Sequence, residues 1–241
     1  MSAMSLAGMR VLVTGGAGAV GLATARQMRE HGAQVMLTER NAEVLAGAQA
    51  EGFACHAADL ARAGDVAGLF AEADRVLGGL DILVGCAGIG SDPLMAFADE
   101  SWRDVIESNL VGHVACTRAA VERIRRAPRG TSSVILVGSI SVHIKAVGES
   151  VYNAAKGGLA SFAETLRKEL IPDEIRVTLI EPGAIASALQ PVDEAERARR
   201  VAAQQFLRAE EVADAVVFAA TRPPGVDCVT LRIEPMDQKI Y

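Results

Sequence analysis

Four cysteines, Cys55, Cys86, Cys116 and Cys228, are scattered through 241 residues without any C-x-x-C pair. That spacing supplies neither a zinc-binding set nor a disulfide framework, and it fits reduced thiols packed as small apolar residues in a cytoplasmic protein. Positive charge is also short: 24 Lys and Arg against 30 Asp and Glu leave a net charge of −6. The balance gives no electrostatic ground for binding nucleic acid or an anionic membrane surface. No apolar run reaches the ~18 residues of a membrane-spanning helix, and the first ten residues lack the apolar stretch of a signal peptide. Fixed-period repeats and low-complexity tracts are missing, which sets aside solenoids and tethered tails. The four histidines, His31, His56, His113 and His143, have no metal-like mutual spacing, so no metal is expected.

What the chain does have is apolar material. Half of it is hydrophobic and 22% is charged, enough for a sizeable core. Short β-branched runs alternate with longer amphipathic stretches. Strands are expected at residues 10–14, 34–39, 52–56, 81–85, 132–138, 175–181 and 227–233, several of them continuous apolar runs such as parallel strands covered on both faces require. Residues 102–127 carry Val105, Ile106, Leu110, Val114, Val121 and Ile124 at helical spacing, with Ser101 and Asp104 placed as a capping box. Strand and helix alternating this often predict one α/β domain over residues 1–241: a doubly wound parallel sheet of about seven strands with helices on both faces. Residues 185–208, charged and helical with Pro191 near their start, read as part of a flap at about 184–208 rather than as a domain boundary.

Such sheets bind ligands beyond the carboxyl ends of their strands, so the residues after each strand are where chemistry is sought. After the first strand comes Thr14-Gly15-Gly16-Ala17-Gly18-Ala19-Val20-Gly21, opening a helical pattern that runs through Met28. Gly16, Gly18 and Gly21 form G-x-G-x-x-G in the strand-to-helix context of a Rossmann fold. Glycines there allow a tight turn and close approach of the backbone to a pyrophosphate, and the helix N-terminus offers free N–H donors and partial positive charge. Glu39 ends the next strand, where a carboxylate accepts both ribose hydroxyls of an adenosine and repels a 2′-phosphate. That favours NAD over NADP. Arg40 beside it leaves NADP open, since a guanidinium pairs with a 2′-phosphate as well as stacking on adenine.

A second constellation is Ser139, Tyr152 and Lys156. Tyr152 and Lys156 stand four apart in a helical pattern at residues 151–170, so phenol and ammonium project from one face. A phenol is a poor base at neutral pH, but a nearby cation, helped by a cofactor's nicotinium charge, stabilises the phenolate. Tyr152 then exchanges a proton with a substrate alcohol or carbonyl, and Ser139, at a strand end, holds the same oxygen. Tyr152 is one of only two tyrosines in the chain.

With these residues in view, nearly the whole chain resembles the short-chain dehydrogenase/reductase family in its single-domain form. The span from Ser139 to Tyr152-Asn153-Ala154-Ala155-Lys156 is similar to the family's active-site signature. Asn109, in Ser108-Asn109-Leu110-Val111-Gly112, matches its mid-helix asparagine. The resemblance implies a tetrad of Asn109, Ser139, Tyr152 and Lys156, with the asparagine helping to hold a water that links the lysine to solvent. It places Asp59 and Leu60 at the adenine, Ala87 and Gly88 at the ribose, and Pro182, Gly183 and Ile185 on the nicotinamide side. The turn residues Gly15, Ala19 and Val20 join the three glycines as cofactor contacts. It also implies a homotetramer or dimer.

Two positions depart from the pattern. Ala19 stands where single-domain members carry glycine, so that the spacing is T-G-x-x-G-x-x-G. The family's Asn-Asn-Ala-Gly is here Gly85-Cys86-Ala87-Gly88, without the asparagine that normally braces the sheet. Cys86 reads as inert packing. His143, in the loop between Ser139 and Tyr152, joins those two as a candidate substrate contact, and Trp102 reads as a packing anchor. The sequence thus predicts an NAD(P)-dependent oxidoreductase acting on a secondary alcohol or ketone. An NADP-dependent hydroxy-acid or small-carbonyl reductase is the alternative within the family, and a non-catalytic dinucleotide sensor is the alternative of another class.

Overall fold

The computed structural model describes residues 4–238. Seven parallel strands form one sheet in the order β3-β2-β1-β4-β5-β6-β7. They are β1 (Arg10–Thr14), β2 (Gln34–Glu39), β3 (Ala54–Ala57), β4 (Ile82–Gly85), β5 (Ser133–Val137), β6 (Arg176–Pro182) and β7 (Thr230–Ile233). Nine helices accompany them among the described residues: α1 (Ala19–Glu30), α2 (Ala46–Ala50), α3 (Ala63–Leu77), α4 (Trp102–Ile106), α5 (Gly112–Ile124), α6 (Ser141–Ile144), α7 (Ser150–Glu169), α8 (Glu194–Ala202) and α9 (Ala209–Ala220). The order reverses between β1 and β4, where the chain leaves a crevice at the carboxyl ends of both strands.

The apolar runs are continuous because both sheet faces are covered. Val11, Val13, Val35, Leu37, Ile82, Val84, Ile135 and Ile180 point to one face and pack with Ala25 and Met28 of α1 and Val212 and Val216 of α9. Leu12, Met36, Leu83, Val134, Leu136, Val177 and Leu179 alternate with them and face Leu69 and Phe70 of α3, Cys116 and Ala120 of α5, and Leu159 of α7. Burying such side chains contributes ~1.5–3 kcal/mol each, which makes this alternation the main source of register.

Several boundaries differ from the sequence expectation. The third strand is Ala54–Ala57 rather than residues 52–56, because Gly52 adopts a positive φ of 83° in the turn that precedes it. The last strand is only Thr230–Ile233, since its pairing with β6 starts opposite Leu179. The stretch 102–127 is interrupted by a wider, π-helical turn at Glu107–Val111 and ends at Ile124. Ser101 and Asp104 form no capping box: the Ser101 side chain makes no cap bond, and its N–H instead donates to Asp99 Oδ1 at 2.8 Å. Of the four cysteines only Cys116 is buried; the other three are partly exposed.

The segment read as a flap contains α8, whose first turn is capped by the Asp193 carboxylate accepting from the Glu196 N–H at 2.7 Å. Its two ends are tied together. Leu207 N–H donates to the Ala184 carbonyl, and Ala186 N–H donates to the Leu207 carbonyl, both at 2.8 Å.

Candidate active site

The β1–α1 turn is built around close backbone approaches. Gly15 has φ +63°, and a β-carbon on it would lie 2.6 Å from the Ala87 nitrogen. One on Gly21 would overlap the Gly15 carbonyl oxygen. Only glycine lets α1 start so close to the turn and to the β4 terminus. The α1 N-terminus, with Gly18 as its cap, has no side-chain cap and no acid in its first turn, so its N–H groups and partial positive charge are available to an anion. Ala19 begins this helix and is exposed. The departure from glycine there costs no contact.

This turn opens onto a cavity of about 760 Å³ across the carboxyl ends of the strands. On its wall are Gly15, Gly18, Ala19, Val20 and Gly21; Glu39 and Arg40; Asp59 and Leu60; Ala87 and Gly88; Asn109; Ser139; Tyr152 and Lys156; and Pro182, Gly183 and Ile185. Two expected contacts lie elsewhere. Gly16 is off the wall, its N–H donating to the Thr38 carbonyl at 3.0 Å, and a β-carbon on it would meet Leu37 Cβ at 2.7 Å. That glycine fits the turn against β2. His143 is also off the wall: its Nε2 lies 2.9 Å from Glu181 Oε2, and the short helix α6 turns it toward that buried carboxylate.

The catalytic candidates meet at one end of the cavity. Ser139 follows β5, and Tyr152 and Lys156 lie one turn apart on α7. Lys156 is buried and donates from Nζ to the Val137 carbonyl at 3.0 Å. With no carboxylate partner among the described residues, burial lowers its pKa to about 8. The Tyr152 phenol is shifted the other way. Burial pushes its pKa up, the Ser139 hydroxyl opposes this, and the Glu149 carboxylate adds to it. Lys156 Nζ sits 5.7 Å from the Tyr152 ring centroid, and its charge does not offset the desolvation. Without the cofactor's charge, which the sequence reading also called on, burial outweighs the lysine and the phenol is held above its ordinary range.

Asn109 lies in the π-helical turn, which widens the helix at the point where the side chain must enter the sheet's end. Its Nδ2 donates to the carbonyls of Ile89 (2.9 Å) and Val105 (3.0 Å), while its buried Oδ1 has no partner. A β-carbon on Gly88 would come within 2.6 Å of that oxygen and 3.6 Å of Lys156 Nζ. An orphaned acceptor beside an ammonium is the arrangement a bridging water satisfies.

Three further residues carry the site and were not singled out as site residues by the sequence. His113 on α5 stands where a side chain at position 85 would lie, since a β-carbon on Gly85 would meet its Nδ1 at 2.6 Å. Its Nε2 is 2.8 Å from the Ala87 carbonyl, and burial drops its pKa to about 3, so the ring is neutral and donates from Nε2. The imidazole thus braces the strand end that lacks asparagine. Gln238 Oε1 accepts from the Ala184 N–H at 2.9 Å and holds the Pro182-Gly183 turn. Glu149 accepts from the Ser141 hydroxyl at 3.1 Å. The four-residue spacing from Asn109 to His113, with glycine at 85, was the one available signal for the first of these. Cys86 is on the wall, but burial pushes its thiol up to about 12, so it is not a thiolate nucleophile.

A doubly wound parallel sheet with a glycine turn, a helix N-terminus and a Ser-Tyr-Lys set around one crevice defines a dinucleotide-dependent oxidoreductase. The family model for short chain dehydrogenase matches residues 9–198. The chain is 34% identical to a 3-oxoacyl-[acyl-carrier-protein] reductase of Bos taurus over 217 residues, 88% of this chain and 90% of that protein. Among solved structures it is similar to a dehydrogenase/reductase from Sinorhizobium meliloti 1021 (TM-score 0.82, 29% identity, 96% of this chain and 95% of that one). It is equally similar in fold to a short chain dehydrogenase from Burkholderia cenocepacia J2315 in complex with NADP (TM-score 0.82, 28% identity, 95% and 98% covered). The chain belongs to the short chain dehydrogenase family of oxidoreductases.

Proposed function

We propose that this protein is an NAD(P)-dependent oxidoreductase, with NAD preferred, that interconverts a secondary alcohol and a ketone. The observation that carries this reading is the meeting of Ser139, Tyr152, Lys156 and Asn109 at the end of a crevice whose other wall is the glycine turn. A dinucleotide fits these residues: the turn leaves space that any β-carbon would fill, and the α1 N-terminus is free of acids. Its pyrophosphate would rest on Gly15 to Gly21, its adenosine between Glu39, Arg40, Asp59 and Leu60, and its nicotinamide half against Ala87, Gly88, Pro182, Gly183 and Ile185, with Lys156 at the ribose. When bound, the cofactor supplies the hydride donor or acceptor and, oxidised, a positive charge.

The protein's part is proton transfer and positioning. In reduction, Tyr152 donates its hydroxyl proton to the carbonyl oxygen as the carbon takes up hydride. In oxidation the same oxygen returns it. Ser139 orients the reacting oxygen and stabilises its developing charge. Asn109 Oδ1 and the Lys156 ammonium hold a water through which the phenol re-equilibrates with solvent. Because burial and Glu149 keep the phenol protonated, the geometry suits Tyr152 as an acid, and oxidation depends on the charge brought by the cofactor.

Glu39 supports NAD: its carboxylate, at the end of β2, accepts from the Arg40 N–H at 2.8 Å and lies on the wall. A second reading, NADP, is favoured by the exposed Arg40 guanidinium at the same place and by the NADP complex of the Burkholderia relative. Fluorescence titration with NADH and NADPH separates them, and tighter NADPH binding overturns the use of Glu39. The sensor alternative is tested with Tyr152→Phe, which abolishes turnover in an enzyme while leaving NADH binding intact. A cytoplasmic homotetramer or dimer using the helices from residue 102 to 124 and 150 to 169 is part of the proposal, and light scattering checks the assembly. One domain spanning residues 1–241, with 184–208 as the substrate flap, completes it.

A further inference from the structure

One carboxylate acts above only through the Tyr152 pKa, yet it also faces the end of the cavity where substrate is read. Glu149 immediately precedes α7, is partly buried, and is on the cavity wall with Ser139, Ser141 and Tyr152. Its Oε2 is 3.1 Å from Ser141 Oγ, which is 3.0 Å from Ser139 Oγ. A carboxylate only accepts, so the polarity of this chain is fixed from its far end. Ser141 donates to Glu149, and Ser139 donates to Ser141. The Ser141 N–H in turn donates to Ser139 Oγ at 3.1 Å. Ser139 thus stands two hydrogen bonds from a full negative charge, and its hydroxyl has to turn from Ser141 to reach a reacting oxygen.

Among the described residues no cation is ion-paired with that carboxylate. Lys156 spends one of its donors on the Val137 carbonyl and lies beneath the Tyr152 ring. Arg200 of α8 is on the wall, but its Nε is held at 2.7 Å by Glu196, which Arg199 also contacts, and neither arginine pairs with Glu149. Cys86, the remaining titratable group on the wall near Lys156, is uncharged. Among the described residues Glu149 has no ion-pair partner.

We propose that Glu149 is a specificity-determining residue that confines the site to substrates without a negative charge next to the reacting carbon: plain ketones and alcohols, or β-oxo esters, thioesters and amides, but not keto acids or hydroxy acids. The inference rests on the reading of Ser139 and Tyr152 as the groups that bind the reacting oxygen. A substrate carboxylate bonded one or two carbons from that oxygen enters the same partly enclosed cavity that Glu149 lines, where like charges repel more strongly than in water. On this proposal the hydroxy-acid alternative raised by the sequence is disfavoured, and the comparison below tests it.

The test compares ethyl acetoacetate with acetoacetate, which differ at the carboxyl group and share the ketone, using the full chain and whichever of NADH or NADPH it binds. Wild type is expected to reduce the ester with a kcat/KM at least about tenfold above that for the anion. In Glu149→Gln, isosteric and still able to accept from Ser141, the ratio falls to within about threefold, chiefly through a lower KM for acetoacetate. Ser141→Ala breaks the hydroxyl chain but keeps the charge, and retains the wild-type ratio. A ratio near one in wild type, or a ratio unchanged in Glu149→Gln while the ester is still reduced, overturns the inference and leaves the oxidoreductase reading standing. Tight cofactor binding with no turnover of either compound, nor of a panel of secondary alcohols and ketones, removes that reading and the inference with it.

Discussion

The two ends of the sheet handle buried polarity in opposite ways. At the amino end two buried charges are each held by several partners, although Arg176 Nε has none among the described residues. Asp81, fully buried, accepts from the Arg10 backbone N–H (2.8 Å) and from Arg10 Nε and Nη2 (2.9 and 2.7 Å), and Arg129 Nε lies 3.4 Å away. Arg176 donates to the carbonyls of Arg222 and Thr131 (both 2.9 Å) and Ala220 (3.1 Å), closing the C-terminus of α9. At the carboxyl end Lys156 has one carbonyl, Asn109 Oδ1 has nothing, and His113 is held neutral. One end is arranged to stay shut and the other to receive a ligand. In the proposed function these under-satisfied groups are the ones a dinucleotide, a water and a substrate oxygen complete, and the stability lost is supplied by the core and the opposite edge.

The largest effect expected from breaking this contrast is on turnover. Tyr152→Phe should lower kcat by about 10²–10⁴, while the melting temperature and NADH affinity stay close to wild type, as steady-state kinetics beside calorimetry will show. At the other end the pattern inverts. Asp81→Ala strands the Arg10 guanidinium and should cost about 3–5 kcal/mol in urea unfolding, with KM unchanged for the folded fraction.

Smaller changes sharpen the comparison at the Gly85–His113 pair. Gly85→Asn introduces the asparagine that the sequence resemblance led one to expect, yet here its β-carbon would strike His113 and Leu136. It should destabilise by about 1–3 kcal/mol, and adding His113→Val should recover part of that loss, a coupling that a double-mutant cycle measures. If the two substitutions simply add, His113 does not occupy the vacated space.

A last effect is one of pH. His113 folds with its pKa lowered to about 3 from 6.5, so the unfolded chain binds the proton first. Its contribution is complete above pH 6.5 and is lost as pH falls toward 3. Thermal scans between pH 7 and 4 should therefore slope less steeply for His113→Gln than for wild type. Equal slopes would mean that the ring is protonated in the folded chain.

Much of this was legible from the sequence because the relevant signals are local. β1 and β2 fall at the expected bounds, since turn residues bracket a run buried on both faces. The glycine turn and the Tyr152–Lys156 spacing are fixed by chain geometry over a few residues. What failed to show depended on distant partners. The π-helical turn at Glu107–Val111 leaves the apolar pattern on either side unchanged, so periodicity passes over it. His143 looked free to face a substrate because Glu181, its partner, is 38 positions away on β6. The direction of the Tyr152 shift follows from burial and from Glu149, neither of which spacing conveys.

By itself the sequence determined the alternation of elements, the glycine turn and the spacing of the proposed proton-transfer set, because hydrophobic period, glycine φ freedom and helical spacing act within a few residues. Only the tertiary structure decided which groups remain charged and which acceptors remain open. Desolvation and pairing depend on neighbours that the fold brings together from β4, α5, β5 and α7, and their sum is what makes one end of this sheet a site.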